Sequence, residues 1–442
     1  AGVMNLEQMD VFRSKMQIPE GSEWSAYDNL LIEPETAKKF CLQAPFNKRP
    51  PQENEPPKIT IPDNLPLNFR SSTSTQASFG NILNELSRGN TDLASRIVTT
   101  SPDVTVSTNL GPWVNQRGVF SLDVRNDVFR DEKVASAQKW LRHGTGQHFE
   151  LGIAENNLFI MLAALGLSGP LFGTRLLPIG TLYDPFIARG LDSLNYACYQ
   201  DARFMLVATP AGITLAPEGG AHQSISSPLI GIGQPGLSSY EPAYADELAV
   251  IMRWAFEYMQ AEKGGSIYLR LSTRAIDQPS REMKPELENQ IIKGAYWHIP
   301  PTDGARIAIV YSGAVVPEVI EAYEQLKEEI PELGIMAITS YDRLYHDWQR
   351  SQVENIEGRN NIDCHIINLL APLHSNAILI TVQDAHPATL SWLGSATGRK
   401  LLPLGVTEFG QSGNIRDLYR QYGIGADAII DAAARASIKH SH

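Results

Sequence analysis

The sequence predicts an α/β fold: two doubly wound, mostly parallel-sheet domains behind a proline-rich connector. Three observations carry that reading. Short β-rich runs alternate with segments of helical period from about residue 72 to the end. Prolines crowd the first 70 residues, where they interrupt regular elements. The 442-residue length exceeds what one ordinary core accommodates. The expected divisions are 1–70 for the connector, 71–285 for the first α/β domain and 286–442 for the second.

Within the connector, Asn5 is a cap for a short helix from Leu6 to Met16. Pro19, Pro34, Pro45, Pro50, Pro51, Pro56, Pro57, Pro62 and Pro66 predict an extended course for the rest over another surface. In the first domain, Ala77 to Leu86 reads as helix and Ala94 to Val98 as strand. A helix starting near Ala154 presents Leu158, Met161, Leu162 and Leu165 on one face, with Gly166, Gly169 and Pro170 ending it. Arg203 to Ala208 is a short buried strand ended by Pro210-Ala211-Gly212. A further helix spans Tyr244 to Gln260, with Pro242 near its first turn, and the domain ends near Pro279. The second domain repeats the alternation. Strands are expected at Ile307–Tyr311, Ile335–Thr339, Ala377–Val382 and Leu401–Val406, with helices from Pro317 to about Glu329 and, capped by Asn414, from Ile415 to Tyr422. Such alternation implies parallel sheets covered on both faces.

Composition narrows the function classes. A net charge of −12 without a basic stripe or tail argues against a nucleic acid or an anionic membrane as partner. The best apolar run, Leu158 to Leu165, has the length of a core helix and not of a bilayer span. The N-terminus has no basic region followed by an apolar segment of secretory type. Cys41, Cys198 and Cys364 have no CxxC spacing, so a reducing, cytoplasmic location is expected. Ala1 leaves two readings open, a lost initiator Met or the downstream piece of something longer.

Two stretches carry candidate chemistry. Glu150-Leu151-Gly152-Ile153-Ala154-Glu155 sets an acid at the start of an apolar helix. The ordinary account of Glu155 is a first-turn acid favoured by the helix dipole; the functional one is an acid held by burial for proton exchange. Pro217-Glu218-Gly219-Gly220-Ala221-His222-Gln223-Ser224 adds a second acid and a histidine in a glycine-rich turn, where a purely structural histidine is the alternative.

These stretches resemble the pyrimidine-binding motif of transketolases, deoxyxylulose-phosphate synthases and 2-oxoacid dehydrogenase E1 components, the thiamine-diphosphate-dependent transketolase-like superfamily. Ser239 to Met252, and Leu404-Gly405-Val406-Thr407-Glu408-Phe409-Gly410, are similar to the C-terminal part of the homodimeric pyruvate dehydrogenase E1 component. The resemblance implies a pyrimidine-binding domain followed by a transketolase C-terminal-like domain. It also implies that Glu155 bonds the ring nitrogen of the cofactor's aminopyrimidine and so controls its tautomer. By the same resemblance Phe186, in Tyr183-Asp184-Pro185-Phe186, stacks on the pyrimidine with Tyr183 beside it; packing is the plain alternative for both. His222 would serve the substrate carboxylate or carbonyl, Glu218 would orient its neighbours, and Asp103 aligns with an acidic active-centre position, although Ser101-Pro102-Asp103 is also an ordinary turn. Arg189 and Asp192 need only a helix-face salt bridge.

Two departures qualify the resemblance. After His222 the chain reads Gln223-Ser224-Ile225-Ser226-Ser227-Pro228, closer to the transketolase style than to the histidine-rich pyruvate dehydrogenase one. The GDG…N pattern that holds Mg²⁺ and the cofactor diphosphate is absent from the sequence. The implied cofactors are thiamine diphosphate and Mg²⁺, the latter with ligands outside this chain. The implied partners are a GDG…N-bearing domain or subunit in a dimer or heterotetramer, and a lipoyl-bearing acyltransferase. A 2-oxoacid dehydrogenase or decarboxylase is the leading expectation. Transketolase-like ketol transfer, for which Arg270 and Arg274 are the available sugar-phosphate ligands, and a non-catalytic assembly subunit are the alternatives.

Other motifs carry less. Gly231-Ile232-Gly233-Gln234-Pro235-Gly236 fits GxGxxG, but Pro235 removes a backbone donor and the next helix begins too late, so no nucleotide site is expected. His143, His148 and Glu150 are too loosely spaced for a metal and read as surface groups. His365 and His374 have simple structural readings, while His386, just after a strand, could line a subunit crevice.

Overall fold

The computed structural model describes residues 3–27, 29–44, 47, 56–68, 70–123, 131–135, 138–356 and 363–440. They form two compact units, Ala1–Pro56 with Pro170–Gly173, and Pro57–Gly169 with Thr174–His442.

In the first unit, helix α1 (Leu6–Lys15) starts where the sequence places it. The Asn5 side chain accepts from the Gln8 N–H at 2.8 Å, and Gln8 Oε1 accepts from the Asn5 N–H at 3.0 Å, a reciprocal capping box. A second helix, α2 (Pro34–Gln43), replaces the extended course expected there. Pro34 opens it, at a position whose N–H has no helical acceptor, so this proline starts the helix instead of breaking it. The expectations for Pro45, Pro50 and Pro51 lie outside the described residues.

The second unit holds both large sheets. Eight strands, β1 (Ile97–Ser101), β2 (Val119–Phe120), β3 (Arg142–His143), β4 (His148–Glu150), β5 (Leu177–Leu182), β6 (Met205–Ala208), β7 (Leu237–Tyr240) and β8 (Ser266–Arg270), pair in the order β3-β2-β4-β1-β5-β6-β8-β7. Every pairing in this sheet is parallel. Strands β1, β5, β6, β7 and β8 are buried at every residue, as a sheet covered on both faces requires. The other sheet has five strands, β9 (Ala295–Ile299), β10 (Ile307–Ser312), β11 (Gly334–Ile338), β12 (Ile378–Gln383) and β13 (Lys400–Leu404), ordered β9-β11-β10-β12-β13. Only β9 in it runs antiparallel, beside β11. Helix α3 (Thr75–Arg88) buries Phe79, Ile82 and Leu83 in one apolar cluster with Ile97 and Leu177 of the larger sheet, and the end of the connector joins the same unit. There Gln260 brackets Ile59, accepting from its N–H at 2.6 Å and donating to its carbonyl at 3.2 Å.

Helix α4 (Glu155–Gly166) buries Glu155, Leu158, Phe159 and Leu162, one stripe at i, i+3, i+4 and i+7. The stripe expected from the sequence instead included Met161 and Leu165, which are only partly buried. The helix turns Phe159 inward because it packs on β5 and on Gly190 as well. A methyl group at Gly180, in the middle of β5, would lie 2.7 Å from Leu162 Cδ1, so the close approach of helix to strand depends on that glycine. The GxGxxG run proves to be the end of a helix, Ser227–Gly233, and forms no phosphate loop. Among the described residues no helix is long and apolar enough to cross a membrane.

Candidate functional site

An all-parallel sheet puts every strand's carboxyl end on one edge, and side chains from the following loops meet there. Asp103 follows β1, Glu155 follows β4, Tyr183 and Phe186 follow β5, and Glu218 and His222 follow β6. The neighbours β4 and β1 flank a switch point, since the chain leaves β1 towards β2 on one side and leaves β4 towards β5 on the other.

Gly152 turns the chain with φ +68°, and Glu155 enters the first turn of α4 with only 8% of its surface exposed. Its Oε1 accepts from Arg189 Nη1 at 2.5 Å. The Arg189 guanidinium also lies over the Phe186 ring, 3.8 Å from its centroid. Phe186 in turn meets the His222 ring edge-on at 5.8 Å, and Tyr183 meets the same imidazole edge-on at 5.5 Å. Glu218 Oε2 is 3.7 Å from His222 Nδ1, too far for a hydrogen bond. That nitrogen is shielded from solvent and has no hydrogen-bond partner among the described residues. Glu155, Arg189, Phe186, Tyr183, His222 and Glu218 thus form one continuous cluster.

Asp103 sits apart from this chain of contacts. Its backbone is left-handed at φ +65°, its N–H donates to Glu150 Oε1 at 2.9 Å, and its carboxylate faces solvent. Asp192 is an exposed first-turn acid of the helix Leu191–Tyr199, and the expected Arg189–Asp192 pairing gives way to Arg189–Glu155. His148 corrects the surface reading. It is fully buried, with Nδ1 2.9 Å from Thr99 Oγ1 and Nε2 3.1 Å from Thr105 Oγ1. Strand alternation turns it inward, and the threonine hydroxyls satisfy both ring nitrogens. Burial pushes the Glu150 carboxyl up. Hydrogen bonds from His148, the Thr105 hydroxyl and the Asp103 N–H outweigh that and leave it below the usual carboxylate range. His386 caps its own helix, accepting from the Ala388 N–H at 3.2 Å.

Arg270 and Arg274 are not available to a sugar phosphate. Arg274 donates to both Glu318 oxygens at 2.7 Å and to the Ala314 carbonyl at 3.0 Å. Arg270 is 1% exposed and its donors are taken: Nε to Asp184 Oδ2 at 3.0 Å, Nη1 to Glu241 Oε1 at 2.7 Å, and Nη2 to the Asp384 carbonyl at 3.1 Å. Asp184 also accepts from Ser224, Ser227 and Tyr268. The Asp384 carboxylate accepts from the Ile213 N–H at 3.0 Å and from Tyr419 Oη at 2.9 Å, tying the second sheet to the loop that carries His222. Sequence reasoning missed this network. The signal was there in Arg270 and Asp384, ionisable residues at the ends of otherwise apolar strands, and in Asp184 inside the aromatic motif.

Two carboxyl groups, Asp184 and Glu241, pair with one buried guanidinium, whose charge also acts on the nearby Asp384 carboxyl. Burial pushes Glu241 up to about 7 and Asp384 up to about 6, against the opposing pull of Arg270. Because the folded pKa of Glu241 is raised, its contribution to stability is present below the ordinary value of 4.5 and is lost as pH rises towards about 7. Thermal melts of the Glu241→Gln variant are expected to show a shallower fall in stability between those limits than the parent. An unchanged slope would contradict this account.

The comparisons with known proteins bear on the whole chain. The family profile of the pyruvate dehydrogenase E1 component middle domain matches residues 69–277. The pyruvate dehydrogenase E1 component of Escherichia coli (strain K12) is 26% identical over 381 residues, an alignment covering 81% of this chain and 41% of that protein. The chain therefore spans about two-fifths of that relative's length. Transketolase from Campylobacter jejuni superposes with a TM-score of 0.62 at 16% identity, covering 97% of this chain and 53% of the other. A split-gene transketolase, solved as an inactive β4 tetramer, superposes with a TM-score of 0.57 at 19% identity, covering 82% of this chain and 98% of its own.

Proposed function

We infer, for a chain whose residues 69–277 match the pyruvate dehydrogenase E1 middle-domain profile and whose fold is similar to that of transketolase, that it supplies the pyrimidine-binding side of a thiamine-diphosphate site. The observation that carries this reading is the nearly buried Glu155 set beside the Phe186 ring, with a flat cation between them. That place already holds a planar nitrogen-bearing group, which is the shape and chemistry of an aminopyrimidine, so the residues fit the cofactor.

When bound, thiamine diphosphate supplies the electron sink for cleaving the bond beside a substrate carbonyl. Glu155 holds the proton exchanged with the ring nitrogen, and its burial keeps that hydrogen bond out of competition with water. Phe186 gives the ring an apolar face, with Tyr183 beside it. The partly exposed His222 imidazole is offered to a substrate carboxylate or carbonyl, with the Glu218 carboxylate beside it. Asp103 stands at the margin of the same sheet edge as an acidic group of the centre. The diphosphate and Mg²⁺ are assigned to a GDG…N-bearing domain or subunit, completed in a dimer or heterotetramer.

The reaction we favour is 2-oxoacid decarboxylation of the pyruvate dehydrogenase E1 type, with a lipoyl-bearing acyltransferase as acceptor. The engagement of Arg270 and Arg274 inside the protein weighs against ketose phosphates. The test is calorimetry of the chain assembled with a GDG…N-bearing partner, titrated with thiamine diphosphate and Mg²⁺, followed by turnover of 2-oxoacids and ketose phosphates. Binding by the assembly with 2-oxoacid consumption is expected. His222→Ala should slow that turnover by roughly 10²-fold while leaving cofactor affinity unchanged. Absence of binding would point to an assembly subunit without a catalytic role, and ketose-phosphate turnover would return the transketolase reading.

A further inference from the structure

The contact between Arg189 and the Glu155–Phe186 pair has a consequence for ligand entry. The guanidinium stacks 3.8 Å from the Phe186 centroid and donates to Glu155 Oε1 at 2.5 Å. A flat ring that stacks on the Arg189 side of Phe186 and bonds Glu155 Oε1 must occupy the same volume and the same acceptor. The two occupants exclude each other. We propose that Arg189 is an internal latch: its guanidinium takes the pyrimidine place, and it must swing into solvent before the cofactor ring can enter. This rests on the thiamine-diphosphate reading above and adds a regulatory element to it.

Three features suit Arg189 to that role. Its side chain is 51% exposed while that of Glu155 is 9% exposed, so the cation has somewhere to go and the acid does not. Arg189 is near the end of the 3₁₀ turn Asp184–Gly190, whose other residues stay anchored by buried Asp184 and Ile187. The latch therefore moves as a side chain on a fixed backbone. A guanidinium also imitates the ligand, being planar, stacking on an aromatic face and presenting N–H donors in its plane. In that place it neutralises a carboxylate that would otherwise stand desolvated and alone.

The latch predicts opposite signs for two measurements on one variant. Arg189→Ala should lower the melting temperature of the ligand-free full chain, because Glu155 loses its partner. The same change should tighten binding of thiamine, which carries the aminopyrimidine without the diphosphate, because competition from the guanidinium is gone. If the latch is closed nine-tenths of the time, the gain is about tenfold. Saturation-transfer NMR with thiamine reads the affinity, and differential scanning fluorimetry reads the stability. Arg189→Lys, which keeps the charge but loses the flat stacking surface, should show a smaller gain and serves if the alanine variant does not fold. Equal or weaker thiamine binding by a folded variant would overturn the latch and leave the cofactor site standing. No thiamine binding by parent or variant, each assembled with a GDG…N-bearing partner, would remove the cofactor reading and the latch with it.

Discussion

Glu155→Gln is expected to cut turnover of the assembled enzyme by about 10²- to 10⁴-fold, the range over which positioned proton transfer contributes. The amide keeps the length of the side chain and an oxygen to accept from Arg189 Nη1, so the helix start and the pairing geometry persist. What it loses is the capacity to exchange a proton with a ring nitrogen. Stability should hold or rise slightly, since a desolvated charge disappears from the first turn of α4. Steady-state kinetics with a parallel thermal melt separate the two effects. Retained turnover at unchanged stability would remove Glu155 from the chemistry.

The largest expected loss of stability is at Arg270. Arg270→Met fills much of the same volume but leaves Asp184 and Glu241 without the cation between them. Breaking a buried pair by removing one partner costs about 3–5 kcal/mol, because the remaining charges have nowhere to be solvated. The Asp384 carbonyl and the Ser224 side chain lose donors at the same time. Urea denaturation should show the midpoint falling with little change in slope. Adding Asp184→Asn and Glu241→Gln to the same chain should recover much of the loss, since the three groups act as a unit. A single variant as stable as the parent would mean that the network has no net role in folding.

Much of the fold was legible because its signals are local. Strand β12 announces itself as a mostly apolar run rich in β-branched residues, Asn5 and Asn414 cap the helices they precede, and Pro235 disqualifies the glycine run as a phosphate loop. The helix Pro34–Gln43 was not legible, because a proline that starts a helix and one that prevents it look alike in sequence. At the candidate site, Glu155, Tyr183, Phe186, His222 and Glu218 come from three motifs, and the structure brings them together. Their linking element, Arg189, was read as a helix-face cation because its partner lies 34 residues away in sequence. His148 was misread for a similar reason. Thr99, 49 residues distant, and Thr105 are what make its burial tolerable. Pairings at such separations follow from the order of strands in the sheet, which spacing along the chain does not encode.

The Arg270 network also limits how this protein can change over time. Asp184 and Arg270 belong to the larger sheet's side, while Asp384 and Tyr419 come from the segments around the smaller one. Gly212 is bound to the same arrangement, since any side chain there would strike the Asp384 carboxylate. A substitution at one of these positions disturbs partners 114 to 171 residues away in sequence. The two sheets therefore depend on each other at this seam, and a change on one side strands a polar partner on the other.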